Sequence, residues 1–270
     1  MPELPEVEIT RRGIAPHLVG RTVTGVVVRH RGLRWPIPRD LAKRVVGTRI
    51  GEVQRRAKYL LLDCGTGTLI IHLGMSGSLR VIAPATPPGP YDHFDLCVED
   101  AVVRLRDPRR FGAVLWHGER AGPHPLLARL GVEPLSDDFD GHRLWQAARG
   151  RRVAIKLLIM NAAIVVGIGN IYASESLFRA SIHPRTPARR LSRARCERLA
   201  AAIKATLADA LAAGGSTLQD FAGADGAPGY FQQQYFVYDR EGEPCRMCAT
   251  PIRRIVQGQR STFFCPACQK

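Results

Sequence analysis

Apolar and polar positions alternate differently in the two halves of the chain. Residues 6–18 carry apolar side chains at helical spacing, with Pro5 ahead of them, acids early and Arg11 and Arg12 following, which predicts a helix. From residue 22 the pattern shortens into β-like runs broken by glycine, at 22–30, 49–53, 59–63, 68–73, 78–82, 94–98, 101–105 and 113–117. Strands this short and this rich in Val, Ile and Leu predict a sandwich or barrel. Pro84 to Pro90, with four prolines and a glycine, is a loop. Past Gly118 the signal turns helical, at 125–130, 141–149, 152–160, 170–180 and 192–213, with Gly122-Pro123-His124-Pro125 at the boundary. The last helix has Ser192 as its N-cap and stops at Gly214-Gly215. A glycine-rich loop runs from Ala222 to Tyr230. The expectation is an α+β chain: a β-rich domain, sandwich or barrel, over 1–120, a linker over 121–135, a helical domain over 136–235 that includes the loop, and a C-terminal module over 236–270.

Charge narrows the choice of partner. The 270 residues hold 39 Lys and Arg against 24 Asp and Glu, a net charge of +15. On a folded chain with 45% hydrophobic residues, that excess points to a polyanion, most simply nucleic acid. Arg179 to Lys204 alone carries eight basic residues and one acid, a density suited to a phosphate-facing surface. No stretch has the length and apolarity of a membrane span, and the N-terminus lacks the basic-then-apolar order of a signal peptide. The expectation is a cytoplasmic, nucleoid-associated protein with reduced thiols.

Four of the seven cysteines form the most specific motif. Cys245-x-x-Cys248 is followed, 16 residues later, by Cys265-x-x-Cys268. Four thiolates at this spacing suit one closed, tetrahedral, structural zinc ion, which leaves no open position for catalysis. The run between the pairs, with a turn at Gln257-Gly258, contains Arg253, Arg254 and Arg260, so the module is a basic hairpin. Cys64, Cys97 and Cys196 are scattered and suit core positions.

Other motifs carry chemistry of their own. If Met1 is removed, Pro2 presents a secondary amine, able to attack an electrophilic sugar carbon and form an iminium. Terminal amines titrate near about 7.7–8, so a usable fraction is nucleophilic at neutral pH. Glu3 is placed to move protons there. Gly167-Ile168-Gly169-Asn170 precedes a helix, where free backbone N–H groups and the Asn170 amide could hold a phosphate; a plain turn is the other reading. Asp107-Pro108-Arg109-Arg110-Phe111-Gly112 could press Phe111 into a duplex as an apolar wedge, or fold it back on the core. His72-Leu73-Gly74-Met75-Ser76-Gly77 presents Met75 on a turn, and Lys58 is locally no more than a charge flanking an apolar strand.

Taken in order, these motifs, together with Arg55-Arg56-Ala57-Lys58-Tyr59-Leu60, Tyr172-Ala173-Ser174-Glu175 and Gly229-Tyr230-Phe231, resemble the formamidopyrimidine-DNA glycosylase family along the whole chain. The resemblance implies an N-terminal β-sandwich, a helix–two-turns–helix domain and a zinc-finger hairpin, with duplex DNA between the two halves. It implies a monomer acting on DNA with an oxidised base or an abasic site. Pro2 resembles the nucleophile and Glu3 the proton shuttle. Lys58 matches a lysine on the lesion phosphates, and Arg260 a finger arginine tied to the flanking phosphates and δ-elimination. Met75, Arg109 and Phe111 resemble gap-filling residues, and Asn170 a phosphate clamp. Tyr91, Arg109, Arg151 and Lys156 match DNA-binding positions, and Ala222–Tyr230 a loop over the extruded base.

The chain departs from the family pattern at three places. Tyr91 stands where relatives often have histidine, Arg151 and Arg152 replace lysines, and Ile159-Met160-Asn161-Ala162-Ala163-Ile164 lacks an acid and a base found there in relatives. The implied activity is excision of oxidised purines followed by β,δ-elimination. A sister branch acting on oxidised pyrimidines and a non-catalytic zinc-dependent DNA-binding protein are the alternatives.

Overall fold

Helix α1 (Leu4–Leu18) starts two residues before the predicted position because Glu3 caps it: its side chain accepts from the Glu6 N–H, and Glu6 answers on the backbone of Glu3. The computed structural model describes residues 1–118, 124–216 and 230–270. Two compact units emerge, Met1–Ala128 with Ala213–Tyr230, and Arg129–Ala212 with Phe231–Lys270. The Gly122-Pro123 boundary and all of the Ala222–Tyr230 loop except Tyr230 lie outside the described residues.

The first unit is the expected β-sandwich. Strands β1 (Gly25–Val28), β2 (Val53–Arg56), β3 (Tyr59–Asp63), β4 (Gly67–His72), β5 (Ser78–Ile82), β6 (Asp92–Cys97), β7 (Val102–Arg106) and β8 (Ala113–Gly118) form two antiparallel sheets. Their orders are β1-β6-β7-β5 and β2-β3-β4-β8. Leu60, Leu62, Leu69 and Ile71 of one sheet share a core with Leu79, Phe94, Leu96 and Leu105 of the other, and Val7, Ile14 and Leu18 of α1 close it. Burial of this apolar surface is the main force holding the sheets together.

Differences from the predicted elements have local causes. The strand expected at 49–53 lies at Val53–Arg56, because ladder pairing runs Val53 against Leu62 through Arg56 against Tyr59 and continues through charged residues. A five-residue helix α2 (Leu41–Val45) falls outside the predicted elements; Leu41 and Val45 are buried on it, too short a repeat to register as a period.

The second unit contains α4 (Gly141–Ala148), α5 (Ile155–Ile159), α6 (Asn170–Arg179) and α7 (Arg193–Ala212), after a short α3 (Pro125–Ala128) that belongs to the first. Ser192 Oγ accepts from Arg195 N at 3.3 Å, as its capping role requires, and Gly214 and Gly215 follow the helix at φ +75° and +77°. The hairpin β9 (Arg253–Gln257) and β10 (Arg260–Phe264) turns through Gly258 and Gln259, both at positive φ, as a tight two-residue turn demands. Glu175 of α6 anchors the approach to the hairpin: its buried carboxylate accepts from the N–H groups of Phe236, Val237 and Tyr238 at 2.9, 3.0 and 2.8 Å. Burial pushes that carboxyl group's pKa up, against the pull of the three donors.

Candidate active site

The N-terminal constellation is built by α1. Pro2, Glu3 and Glu6 are all buried. One Glu6 carboxylate oxygen accepts from Glu3 N at 2.8 Å, and the other from Ser216 N at 2.9 Å. Glu6 therefore holds both the first residues of the chain and the segment just before position 217. Its place three residues after Glu3 is a capping-box spacing, a signal legible in the sequence but read there only as an early acid. One turn on, Glu8 accepts from Arg55 Nε at 3.2 Å, and Arg55 donates to Ala57 O at 2.9 Å. Burial alone would raise the Glu8 carboxyl, but hydrogen bonds from Arg11 and Arg12 and the nearby Arg55 charge bring it below its ordinary value. This chain of contacts fixes the turn that carries Lys58, which is half-buried between β2 and β3.

Lys58 has an electrostatic neighbour in His72. Burial, then the charges of Lys58 and Arg34, lower the imidazole pKa to about 4. Neutral His72 accepts from Gly74 N through Nδ1 at 3.0 Å, which shapes the turn that presents Met75. A histidine whose folded pKa lies below its unfolded value binds fewer protons when folded, so stability rises with pH through that window. The His72 contribution should be complete above pH 6.5 and lost progressively towards pH 4. Melting temperatures of the wild type and His72→Gln should differ by several degrees at pH 7.5, about 2–4 °C for each kcal/mol, and converge by pH 4.5. A gap that does not narrow with acidity would show that His72 is held by packing alone.

The surface residues predicted for DNA contact are displayed. Met75 is 40% exposed, Tyr91 43% and Phe111 43%, so Phe111 does not fold back on the core. The Arg109 guanidinium lies over the Phe111 ring at 5.2 Å, and Arg106 over Tyr91 at 5.3 Å. Arg109, Arg151 and Arg260 are exposed.

In the second unit Lys156 and Asn170 share one polar network with the hairpin. Lys156, expected among the DNA-contacting residues, is 1% exposed. Its ammonium donates to Asn170 Oδ1 at 2.6 Å, Thr262 Oγ1 at 2.7 Å and Ser261 O at 3.4 Å. A buried charge is tolerated because these oxygens replace its water. Asn170 Nδ2 in turn donates to Ser261 O at 2.8 Å. Lys156 thus ties α5, the first residue of α6 and the hairpin strand that begins with Arg260. Periodicity could not reveal this, since these partners lie 14 to 106 positions away. In the altered 159–164 segment, Asn161 Oδ1 accepts from Ala163 N at 3.0 Å and closes the turn.

The four finger cysteines have the donor set and spacing for zinc. Their Sγ atoms all lie within 4.8 Å of one another, with pairs at 3.9, 3.5 and 3.4 Å. Tetrahedral thiolates at Zn–S of about 2.3 Å stand about 3.8 Å apart, so the site fits. Cys64, Cys97 and Cys196 have thiol pKa values raised by burial, Cys196 to about 11, and are protonated at neutral pH.

Family models match three successive segments: the formamidopyrimidine-DNA glycosylase N-terminal domain over residues 1–114, the H2TH domain of that glycosylase over 130–222, and a zinc finger found in FPG and IleRS over 242–270. Fold and site together define a zinc-finger DNA glycosylase of the helix–two-turns–helix class. A curated formamidopyrimidine-DNA glycosylase from Cupriavidus pinatubonensis is 59% identical, with all of both chains covered. The crystal structure of the MutM (Fpg) protein from Thermus thermophilus is 40% identical, with a TM-score of 0.89 over 99% of this chain and 98% of that one. A mutant Fpg from Lactococcus lactis, solved with Fapy-dG-containing DNA, is 30% identical, with a TM-score of 0.93 over the whole of both chains. The chain belongs to the formamidopyrimidine-DNA glycosylase family, and it is a DNA repair enzyme. Among the described residues, no helix is long and apolar enough to cross a membrane.

Proposed function

We propose that this enzyme excises oxidised purines, 8-oxoguanine and formamidopyrimidines, from duplex DNA and then nicks the abasic strand by β,δ-elimination. The observation that carries the reading is the way α1 presents its own start. Pro2 and Glu3 are buried, and the Glu6 carboxylate is bonded to the Glu3 N–H, so the reacting end is preorganised.

After removal of Met1, the Pro2 amine attacks C1′ of the damaged nucleotide, and the glycosidic bond breaks as the base leaves with a proton. Glu3 moves the protons of base release and of sugar ring opening, in which the C1′–O4′ bond breaks and the iminium forms. The iminium acidifies the C2′ proton, whose loss expels the 3′ phosphate; a second elimination expels the 5′ phosphate. Lys58 and Arg260 hold the flanking phosphates, and Asn170, positioned by Lys156, holds a third. Met75, Arg109 and Phe111 fill the gap left by the extruded base, while Tyr91 and Arg151 contact the strands nearby. One zinc ion on Cys245, Cys248, Cys265 and Cys268 holds the hairpin and takes no part in the chemistry. The enzyme acts as a monomer in the cytoplasm, at the nucleoid.

Borohydride trapping on a duplex with one 8-oxoguanine, followed by peptide mapping, tests the reading. A covalent adduct at Pro2 is the expected result. Binding without an adduct, on this lesion and on thymine glycol alike, would leave a lesion-binding protein. Faster turnover of thymine glycol would move the enzyme to the pyrimidine branch.

A further inference from the structure

The turn between β4 and β5 and the loop between β7 and β8 meet on one buried carboxylate. Asp107 is 0% exposed. Its Oδ1 accepts from the Ser76 hydroxyl at 2.7 Å, and its Oδ2 from Gly112 N at 2.7 Å. Ser76 Oγ accepts from Arg109 N at 3.1 Å, which links the two loops a second time. The Asp107 backbone is engaged as well: its N–H donates to Tyr91 O at 3.0 Å, and its carbonyl meets His93 Nε2 at 2.9 Å. The side-chain partners border residues displayed on the surface: Met75 beside Ser76, and Phe111 between Arg109 and Gly112. Tyr91, which accepts from the backbone, is itself displayed. The loops also touch as backbone. Gly74 has φ +65°, and a Cβ there would lie 2.3 Å from the Phe111 carbonyl carbon.

We propose that Asp107 is a positioning residue that joins Met75, Arg109 and Phe111 into one preformed wedge, with Ser76 as its relay. The proposal rests on the reading of those three as gap-fillers. Extruding a paired base costs a few kcal/mol, which wedge contacts repay only if the wedge need not first be ordered. One oxygen of Asp107 sets the 107–112 loop and the other the Met75 turn, so neither can shift alone. Its action falls on extrusion and leaves the chemistry at Pro2 untouched. An abasic nucleotide has no base pair to break and leans on the wedge far less.

The test compares Ser76→Ala and Asp107→Asn with the wild type in single-turnover assays. One duplex carries 8-oxoguanine opposite cytosine, and the other a preformed abasic site. Asparagine offers one acceptor where two donors need one each, and alanine removes only the relay. Excision from the 8-oxoguanine duplex should fall about 10- to 100-fold in both variants, while cleavage of the abasic duplex falls less than about 3-fold. Adding Met75→Ala to Ser76→Ala should cost less than the product of the two separate losses, since both damage one device. Equal losses on both duplexes, tracking a lower melting temperature, would reduce Asp107 to a structural buttress and overturn the proposal. So would wild-type excision by Ser76→Ala, which decides alone if Asp107→Asn does not fold. A wild type that neither excises nor traps would overturn the glycosylase reading itself, and this proposal with it.

Discussion

Replacing Pro2 with glycine is expected to slow strand cleavage at 8-oxoguanine by about 10²-fold or more while changing duplex affinity less than about 3-fold. Glycine keeps a terminal amine of similar basicity but loses two properties. A secondary amine yields an iminium with no N–H to lose, so it stays cationic and remains an electron sink; a glycine imine must be protonated to serve. The pyrrolidine ring also locks rotation about its N–Cα bond and aims the nitrogen, whereas a glycine amine must be ordered first. A variant that retains a residue before Pro2 should show no trapping at all, because an amide nitrogen is not nucleophilic. Single-turnover cleavage and fluorescence anisotropy separate the two effects. Parallel loss of binding and cleavage would mean that buried Pro2 mainly supports the fold of α1.

Replacing Cys248 with serine should release the zinc and weaken lesion-DNA binding by about 10- to 100-fold. Cys248 is exposed, so its substitution leaves no cavity; the effect is loss of a ligand. The core of this module is small, with Val237, Ile252, Phe263 and the buried Cys245 and Cys265 packed against Phe178. Such a core relies on its metal. Loosening the hairpin should also release Asn170, because its amide and the Lys156 ammonium bond to Ser261 and Thr262. The consequence would reach beyond the arginines of the finger. Metal content by absorption spectroscopy and affinity at several salt concentrations check this. A metal-free protein with wild-type affinity would remove the hairpin from the binding surface. A shallow salt dependence in the wild type would count against the phosphate clamps.

Much of this molecule is legible in one dimension. The strands at 59–63 and 78–82, the long helix after Ser192 and the four-cysteine hairpin depend on near neighbours, and their patterns carry the signal. Charge points to a polyanion as partner, and motif order points to the family. Whether Met75, Tyr91 and Phe111 are displayed is a question that only burial decides. The tertiary structure alone decides which polar groups are spent inside. Glu6 reads as a helix-opening acid and is a buried clamp between Glu3 and Ser216. Lys156 matches a DNA-binding position in the motif order and is the buried tie between Asn170 and the hairpin. Asp107 reads as the first residue of a turn and joins two loops 31 positions apart. The physical reason is the same in each case. A charged side chain leaves water only where several partners replace it, and those partners converge from distant points of the chain, where no local periodicity records them.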